Sequence, residues 1–414
     1  MFMLRSAARR IRFRSPLRGP WLTSVFGAVL LACLPLVIIT GLLDYVAYGP
    51  GQSSPADVGW LHLPIFDWPT RPSWLFRLTQ GLHVGLGLVL VPVVLAKLWS
   101  VIPKLFAWPP IRSVAHALER VSVALLVGSI LFETATGVLN IQYDYVFGFS
   151  FYTGHYIGAW VFIASFAAHT ILKLPTMVRS LRSRSLRKEL ATPLARTRPE
   201  ARDATGLVAA DPAPPTMSRR GLLGAVGGGV LLVGMLTAGQ TVGGPLRDLA
   251  LLLPRGRQPG EGANHYPINK TAAAARIPAD ATGERWRLVL NAERAFTRNQ
   301  LSALPQHTAR LPIACVEGWS TVQTWTGVRL RDLSALAGVP HPVSALVASI
   351  EDGPFARATL NAGQVTDPDA LLALRVNGAD LSLDHGFPAR IIVPALPGVH
   401  CTKWVRSIDF RRAR

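Results

Sequence analysis

Five apolar runs constrain this chain more than any other feature. Four lie before residue 180, at Trp21–Leu43, Leu78–Trp99, Val121–Ile141 and His155–Leu174, and a glycine-rich fifth covers Gly221–Val242. Each approaches the ~20 residues that a membrane-crossing helix requires. The sequence therefore predicts an all-α transmembrane bundle of four helices plus a fifth anchor helix. Composition agrees, since 50% of the 414 residues are apolar and only 16% are charged.

Where the charge lies gives the orientation. The formal charge is +19, and most of it falls in three segments, residues 1–20, 97–120 and 173–220. Between the first two runs stand Asp44, Asp57 and Asp67 against Arg71 and Arg77, and between the third and fourth only Asp144. Basic segments thus alternate with weakly acidic ones, as the positive-inside rule requires. This places the amino terminus in the cytoplasm of a bacterial cell, the chain as multi-pass in its cytoplasmic membrane, and everything after the fifth run outside. No nucleic-acid partner is needed to explain the charge.

The expected organisation follows in order. Residues 1–20 form a basic cytoplasmic amino terminus, 21–175 a four-helix transmembrane domain, and 176–217 a cytoplasmic linker rich in Arg, Ser, Pro and Ala. Residues 218–243 hold the fifth helix and 244–414 an extracytoplasmic domain. The fifth helix opens on Ser-Arg-Arg-Gly-Leu-Leu, Ser218–Leu223. That pattern suits an ordinary helix with a basic cytoplasmic end, and it also resembles a twin-arginine export signal. No clear A-x-A cleavage site follows, so the segment is expected to stay as an anchor.

Ionisable residues inside apolar runs are functional candidates by default. His155 and His169 share the fourth run, about 21 Å apart along a helix and nearly on one face. With alternating helix directions, His83 joins His155 at the outer level and His116 joins His169 at the inner one. Neutral imidazoles so paired could hold one or two b-type haems; the alternative is that histidines at helix ends simply rest at the interface. The segment resembles the four-helix membrane cytochromes of the b561 type, although the first run lacks the histidine those usually carry. His62 is a spare candidate. Glu133 could carry protons for a quinone or merely bond a neighbouring helix.

Beyond residue 243 the pattern changes to short strands (Trp286–Leu290, Arg390–Pro394) and a short helix at Asp332–Gly338. This predicts an α+β domain. Cys315, one of three cysteines, lies in A-C-V-E-G-W-S beside Glu317 and Trp319. Locally it reads as a small buried hydrophobe or as a thiolate for a soft metal. Two later stretches bear on the choice, D-H-G-F-P-A-R around His385 and Arg390, and G-V-H-C-T-K-W around Cys401, Thr402 and Lys403.

Together these motifs resemble the molybdopterin domain of the sulfite oxidase family over roughly residues 265–414. The resemblance implies a molybdenum–molybdopterin cofactor, with Cys315 binding molybdenum through sulfur and Glu317 beside it as a catalytic candidate. His385, Arg390, Cys401, Thr402 and Lys403 would contact the pterin and its phosphate, and Asn269 and Thr271 would occupy the first cofactor loop. Animal sulfite oxidases carry a sulfite-binding arginine where this chain has Ser320. C-V-E-x-W-S instead is similar to the periplasmic methionine sulfoxide reductase catalytic subunit. The expected function is a molybdopterin-dependent oxidoreductase passing electrons between the quinone pool, b haems and an outer molybdopterin centre, and reducing an S-oxide or similar small substrate. The alternatives are oxidation of sulfite or another small anion, or a non-catalytic membrane-tethered binding module.

Overall fold

The computed structural model describes residues 13–49, 61–106, 113–140, 150–203, 205–252, 259–353 and 356–413. Five spans in it are long and apolar enough to cross a membrane: Pro20–Ala47, Leu75–Leu105, Arg120–Leu139, Phe151–Ser183 and Arg219–Val242. Only 6% to 28% of each apolar window is buried. Helices so apolar on their exposed faces are suited to lipid rather than to water.

The first span is one helix, α1 (Pro20–Ala47). The second is two, α2 (Leu75–Val89) and α3 (Val91–Leu105), with Pro92 in the first turn of α3, where its missing N–H costs nothing. The third lies in α4 (Val114–Asn140) and the fourth in α5 (Phe151–Ser183). A short α6 (Leu186–Ala191) precedes α7 (Arg219–Val242), the fifth. All five predicted runs are therefore helical, each beginning or ending a little beyond its apolar stretch.

The chain divides into two compact units, one of Met1–Pro35, Leu88–Thr134 and Gly158–Val233, the other of Leu36–Gly87, Ala135–Ile157 and Gly234–Arg414. In the first, the stretch expected as a linker is packed. Glu200 caps α1, its carboxylate accepting from the backbone N–H groups of Trp21 (2.9 Å) and Leu22 (3.3 Å). Arg219, of the Arg219–Arg220 pair, is buried, bonding the Arg198 carbonyl at 2.9 Å and pairing with Glu189 at 3.3 Å. These are polar anchors, which a search for apolar periodicity cannot detect.

The second unit contains two five-stranded sheets. Its elements run β1 (Leu288–Leu290), β2 (Arg294–Phe296), α8 (Arg298–Ala303), β3 (His307–Ala314), β4 (Ser320–Arg329), α9 (Leu330–Leu336), β5 (Ser344–Ser349), β6 (Arg357–Asn361), α10 (Ala362–Thr366), β7 (Leu371–Val376), β8 (Ala379–Asp380), β9 (Arg390–Ile392) and β10 (Val405–Arg411). One sheet has the order β2-β1-β10-β5-β6, with β1 parallel to β10. The other runs β3-β4-β7-β8, and β9 also pairs with β7. Alternation on β3 turns Ala309, Leu311 and Ile313 inward. They pack with Trp325, Leu371, Ala373 and Ile392 in a core that also takes in Cys315, Cys401 and Tyr266. The register pairs Ala314 with Ser320, so residues 315–319 are the loop of a β3–β4 hairpin.

Candidate active site

The hairpin loop is tightly tied. Cys315 accepts from Gly318 N–H and donates its own N–H to the Trp319 carbonyl, both at 3.0 Å, with Gly318 at φ 89. Cys315 is buried, as is Glu317, whose carboxylate accepts from the Trp319 indole at 2.9 Å. The Glu317 side chain thus braces the loop. Four side chains from the helical segments of the same unit hold it from outside. Gln80 donates to the Val316 carbonyl (3.0 Å) and Thr241 to that of Gly318 (2.9 Å). Arg77 donates to the Ser320 hydroxyl (3.0 Å) and Arg247 to the Ser320 carbonyl (2.7 Å). The sequence showed none of these tethers, because each depends on a contact between distant segments.

A second group surrounds the His-Gly-Phe-Pro turn. Gly386 sits at φ 109, and a Cβ there would stand 3.1 Å from the Cβ of Lys403, so only glycine fits. His385 is buried with both ring nitrogens engaged, by the Ser382 hydroxyl (2.8 Å) and the Tyr266 carbonyl (3.1 Å). Burial, with Arg390 and Lys403 nearby, pushes its pKa down to about 3. It is a neutral hydrogen-bonding wall at ordinary pH, not an acid or base. The Tyr266 ring lies 3.8 Å from it, centre to centre. Burial also raises the Tyr266 phenol above its usual range, Arg390 opposing the effect.

Arg390 is buried, donates to the His385 carbonyl (3.2 Å) and lies over the Trp325 ring at 5.7 Å. Burial holds the Lys403 ammonium well below its ordinary value and lifts the Cys401 thiol. Lys403 donates to the carbonyls of Lys270 (2.6 Å) and Asp384 (2.8 Å), and Cys315 is near enough to act on its charge. The structure therefore brings Cys315, His385, Arg390, Cys401, Thr402 and Lys403 into one neighbourhood. Asn269 and Thr271 flank Lys270 there, but Thr271 is exposed and its hydroxyl accepts from Ala274 N–H in a local turn. Tyr266 was not singled out from sequence. Tyr266 contributes a carbonyl and a ring face, neither of which leaves a motif.

Among the described residues, Arg390 Nε and Thr402 Oγ1 are buried without a hydrogen-bond partner. Leaving buried polar atoms so is costly. A buried guanidinium N–H and a buried hydroxyl suit the oxygens of an anionic group, and Cys315 adds a soft sulfur. The donor set fits a phosphorylated, sulfur-liganded metal cofactor.

The outer histidine pair is also brought together. The His83 and His155 rings have centres 6.0 Å apart and planes at 83°. Two imidazoles on opposite sides of one iron would have ring centres roughly 6 Å apart, from about 2 Å per metal–nitrogen bond plus about 1 Å to each ring centre. Each Nδ1 is hydrogen-bonded, His83 at the Val37 carbonyl (2.9 Å) and His155 at the Thr136 hydroxyl (3.0 Å), which orients the two rings. Gly41 on α1 backs onto His83, where a Cβ would come within 2.6 Å of Cε1. His169 is half-buried on α5. The His116 side chain lies outside the described residues. His62 Nδ1 stands 3.4 Å from the Tyr45 hydroxyl. Glu133 packs against α5 at Gly158.

Comparison with known proteins gives the same reading of the carboxy-terminal domain. Residues 274–414 match the oxidoreductase molybdopterin binding domain. An uncharacterized oxidoreductase of Bacillus subtilis, YuiH, is 33% identical over 113 residues, 27% of this chain and 56% of that protein. Arabidopsis thaliana sulfite oxidase is 27% identical over 180 residues, 35% of this chain and 44% of the plant protein. Gallus gallus sulfite oxidase is 34% identical over 175 residues, 35% and 37% of the two chains. The chain spans about half the length of these relatives or less. Cys315, His385, Arg390 and Lys403 all fall within the matched residues, so residues 274–414 form an oxidoreductase molybdopterin binding domain with similarity to sulfite oxidases.

Proposed function

We propose that the protein is a membrane-anchored molybdenum oxidoreductase, taking electrons from a quinol through b haem and reducing an S-oxide or similar oxygenated substrate outside the cytoplasmic membrane. One observation carries this reading: the Cys315 loop and the His83–His155 pair belong to a single compact unit. When bound, the molybdenum cofactor supplies the oxo transfer and the haem supplies single electrons. The chain does the rest. Cys315 offers sulfur to the metal, and Arg390, Thr402 and Lys403 grip the anionic end of the pterin. The neutral His385 fixes its edge, while Glu317 and Trp319 keep the cysteine loop rigid. His83 and His155 would hold an outer haem, and His116 with His169 an inner one. Arg219 and Arg220 fit an export signal retained as an anchor.

A second direction of flow, oxidation of a small anion with electrons passed inward, is favoured by Arg77 and Arg247. They bring two guanidinium groups to Ser320, the position where the sulfite oxidases carry their own arginine.

Purified protein should contain molybdenum and b haem, and its dithionite-reduced haem should be reoxidised by methionine sulfoxide. Cys315→Ser should abolish that reoxidation and leave the haem spectrum unchanged. Turnover retained by the serine variant would sink the assignment, and reduction of the oxidised haem by added sulfite would select the second direction.

A further inference from the structure

A cavity of about 370 Å³ lies beside the last turn of α1, within the second unit. Its apolar lining includes Val46 and Ala47, which end the first membrane-length span, and Ile65 and Phe66, 72% and 48% exposed. Trp68 is pinned beside them, its indole donating to the Ala395 carbonyl at 2.7 Å. The polar lining comes from the carboxy-terminal domain. Thr359 and Asn361 share one face of β6, and Gln364 follows in α10. Asn361 and Gln364 form a capping box, the Asn361 side-chain oxygen accepting from Gln364 N–H (2.9 Å) and the Gln364 oxygen from Asn361 N–H (3.0 Å). Both oxygens are thereby used, and both NH2 groups lack a partner among the described residues, although Gln364 is only 6% exposed. His400, 3% exposed, turns Nε2 to the Tyr48 carbonyl at 3.0 Å. A carbonyl only accepts, so that nitrogen carries the proton, and Nδ1 keeps a lone pair because burial lowers the ring's pKa.

Asp67 is the one charged group among the described lining residues, and no Lys or Arg stands with it. Such a lining does not suit an anion, whose burial needs a paired cation. It suits a neutral amphiphile whose head both accepts and donates hydrogen bonds and whose tail reaches lipid. On the reading given above, in which a quinol is the donor, we propose that this cavity holds the quinone head group. The carbonyl oxygens of the quinone accept from the Asn361 and Gln364 NH2 groups. The hydroxyls of the quinol donate to His400 Nδ1 and to Asp67, with the ring against Phe66 and the tail leaving past Ile65. One lining therefore serves both forms, since the quinone only accepts and the quinol can also donate.

The test titrates the full chain in lipid nanodiscs with a decyl-substituted benzoquinone, read by calorimetry against empty nanodiscs. Gln364→Glu and Asn361→Asp keep the oxygen that each capping bond needs and replace only the NH2, so the start of α10 survives. Each should weaken saturable quinone binding about tenfold, the loss of one buried donor, with thermal unfolding as in the wild type. Phe66→Ser, in an exposed stretch outside the helix, should weaken it as well. Octyl glucoside, another neutral amphiphile, should not compete. Wild-type affinity in all three variants, no saturable binding to the wild type, or displacement by the glucoside overturns the proposal. Quinol-driven reduction of methionine sulfoxide is followed on the same preparations. Full quinol-driven turnover in the variants overturns the cavity and leaves the quinol-fed oxidoreductase standing. Binding that the variants lose, in a wild-type chain that quinol does not drive, upholds the cavity and overturns the quinol-fed oxidoreductase instead.

Discussion

At the scale of single residues, burial decides what each group of the site can do. His385 has its pKa pushed from 6.5 to about 3, so on acidification the unfolded chain takes up that proton first. Stability tied to this residue is intact above about pH 6.5 and falls as pH drops toward 3, by roughly 1.4 kcal/mol per pH unit at most. Denaturant unfolding between pH 7 and pH 4 should show that decline, and His385→Gln should flatten it; equal slopes would remove the account. Arg390 is held for a different reason, as a buried cation with Nε unmatched by any described acceptor. Arg390→Met should lower cofactor affinity by about 2–5 kcal/mol, the usual cost of removing one partner of a buried charged pair. Molybdenum analysis of the purified variant checks it, and full metal content would exclude the clamp. Cys315, His385, Arg390 and Lys403 were legible because each sits in a motif with its own spacing. Tyr266 was not, since a carbonyl can come from any residue.

At the scale of elements, the apolar runs announced the helices but not their ends. α5 continues past Leu174 to Ser183, through Pro175 and a polar stretch that carries no apolar periodicity. The packing of residues 184–219 rests on Glu189, Glu200 and Arg219, three charges whose partners are set by the fold. The crossing of α1 over α2 is set by size, because Gly41 lies where any side chain would press on His83. Gly41→Leu should therefore displace the imidazole and lower haem content, leaving molybdenum content as in the wild type. Optical spectra and metal analysis on one preparation separate the two. Parallel losses would mean a general folding defect instead of a local one.

At the scale of the whole molecule, class was readable and strand order was not. Class follows from composition along the chain, five apolar runs and then short alternating strands. Strand order depends on pairings such as β1 with β10, which join opposite ends of the domain and leave no local trace. Orientation is a physical inference from charge and can be measured directly. Arg187, between α5 and α7, and Arg285, in the carboxy-terminal domain, are both exposed. Cys315 and Cys401 are buried and Cys33 is half-buried in α1, so background thiol labelling should be low. With Arg187→Cys and Arg285→Cys made separately, a membrane-impermeant maleimide added to spheroplasts should label Cys at position 285 and spare Cys at position 187. Inside-out vesicles should show the reverse. The argument is that basic segments on one side of a bilayer fix every crossing after the first, so five crossings must place the two positions on opposite faces. Labelling of both from one side would break that chain of reasoning. It would also remove the cofactor domain from the outer face, where the proposed substrate is met.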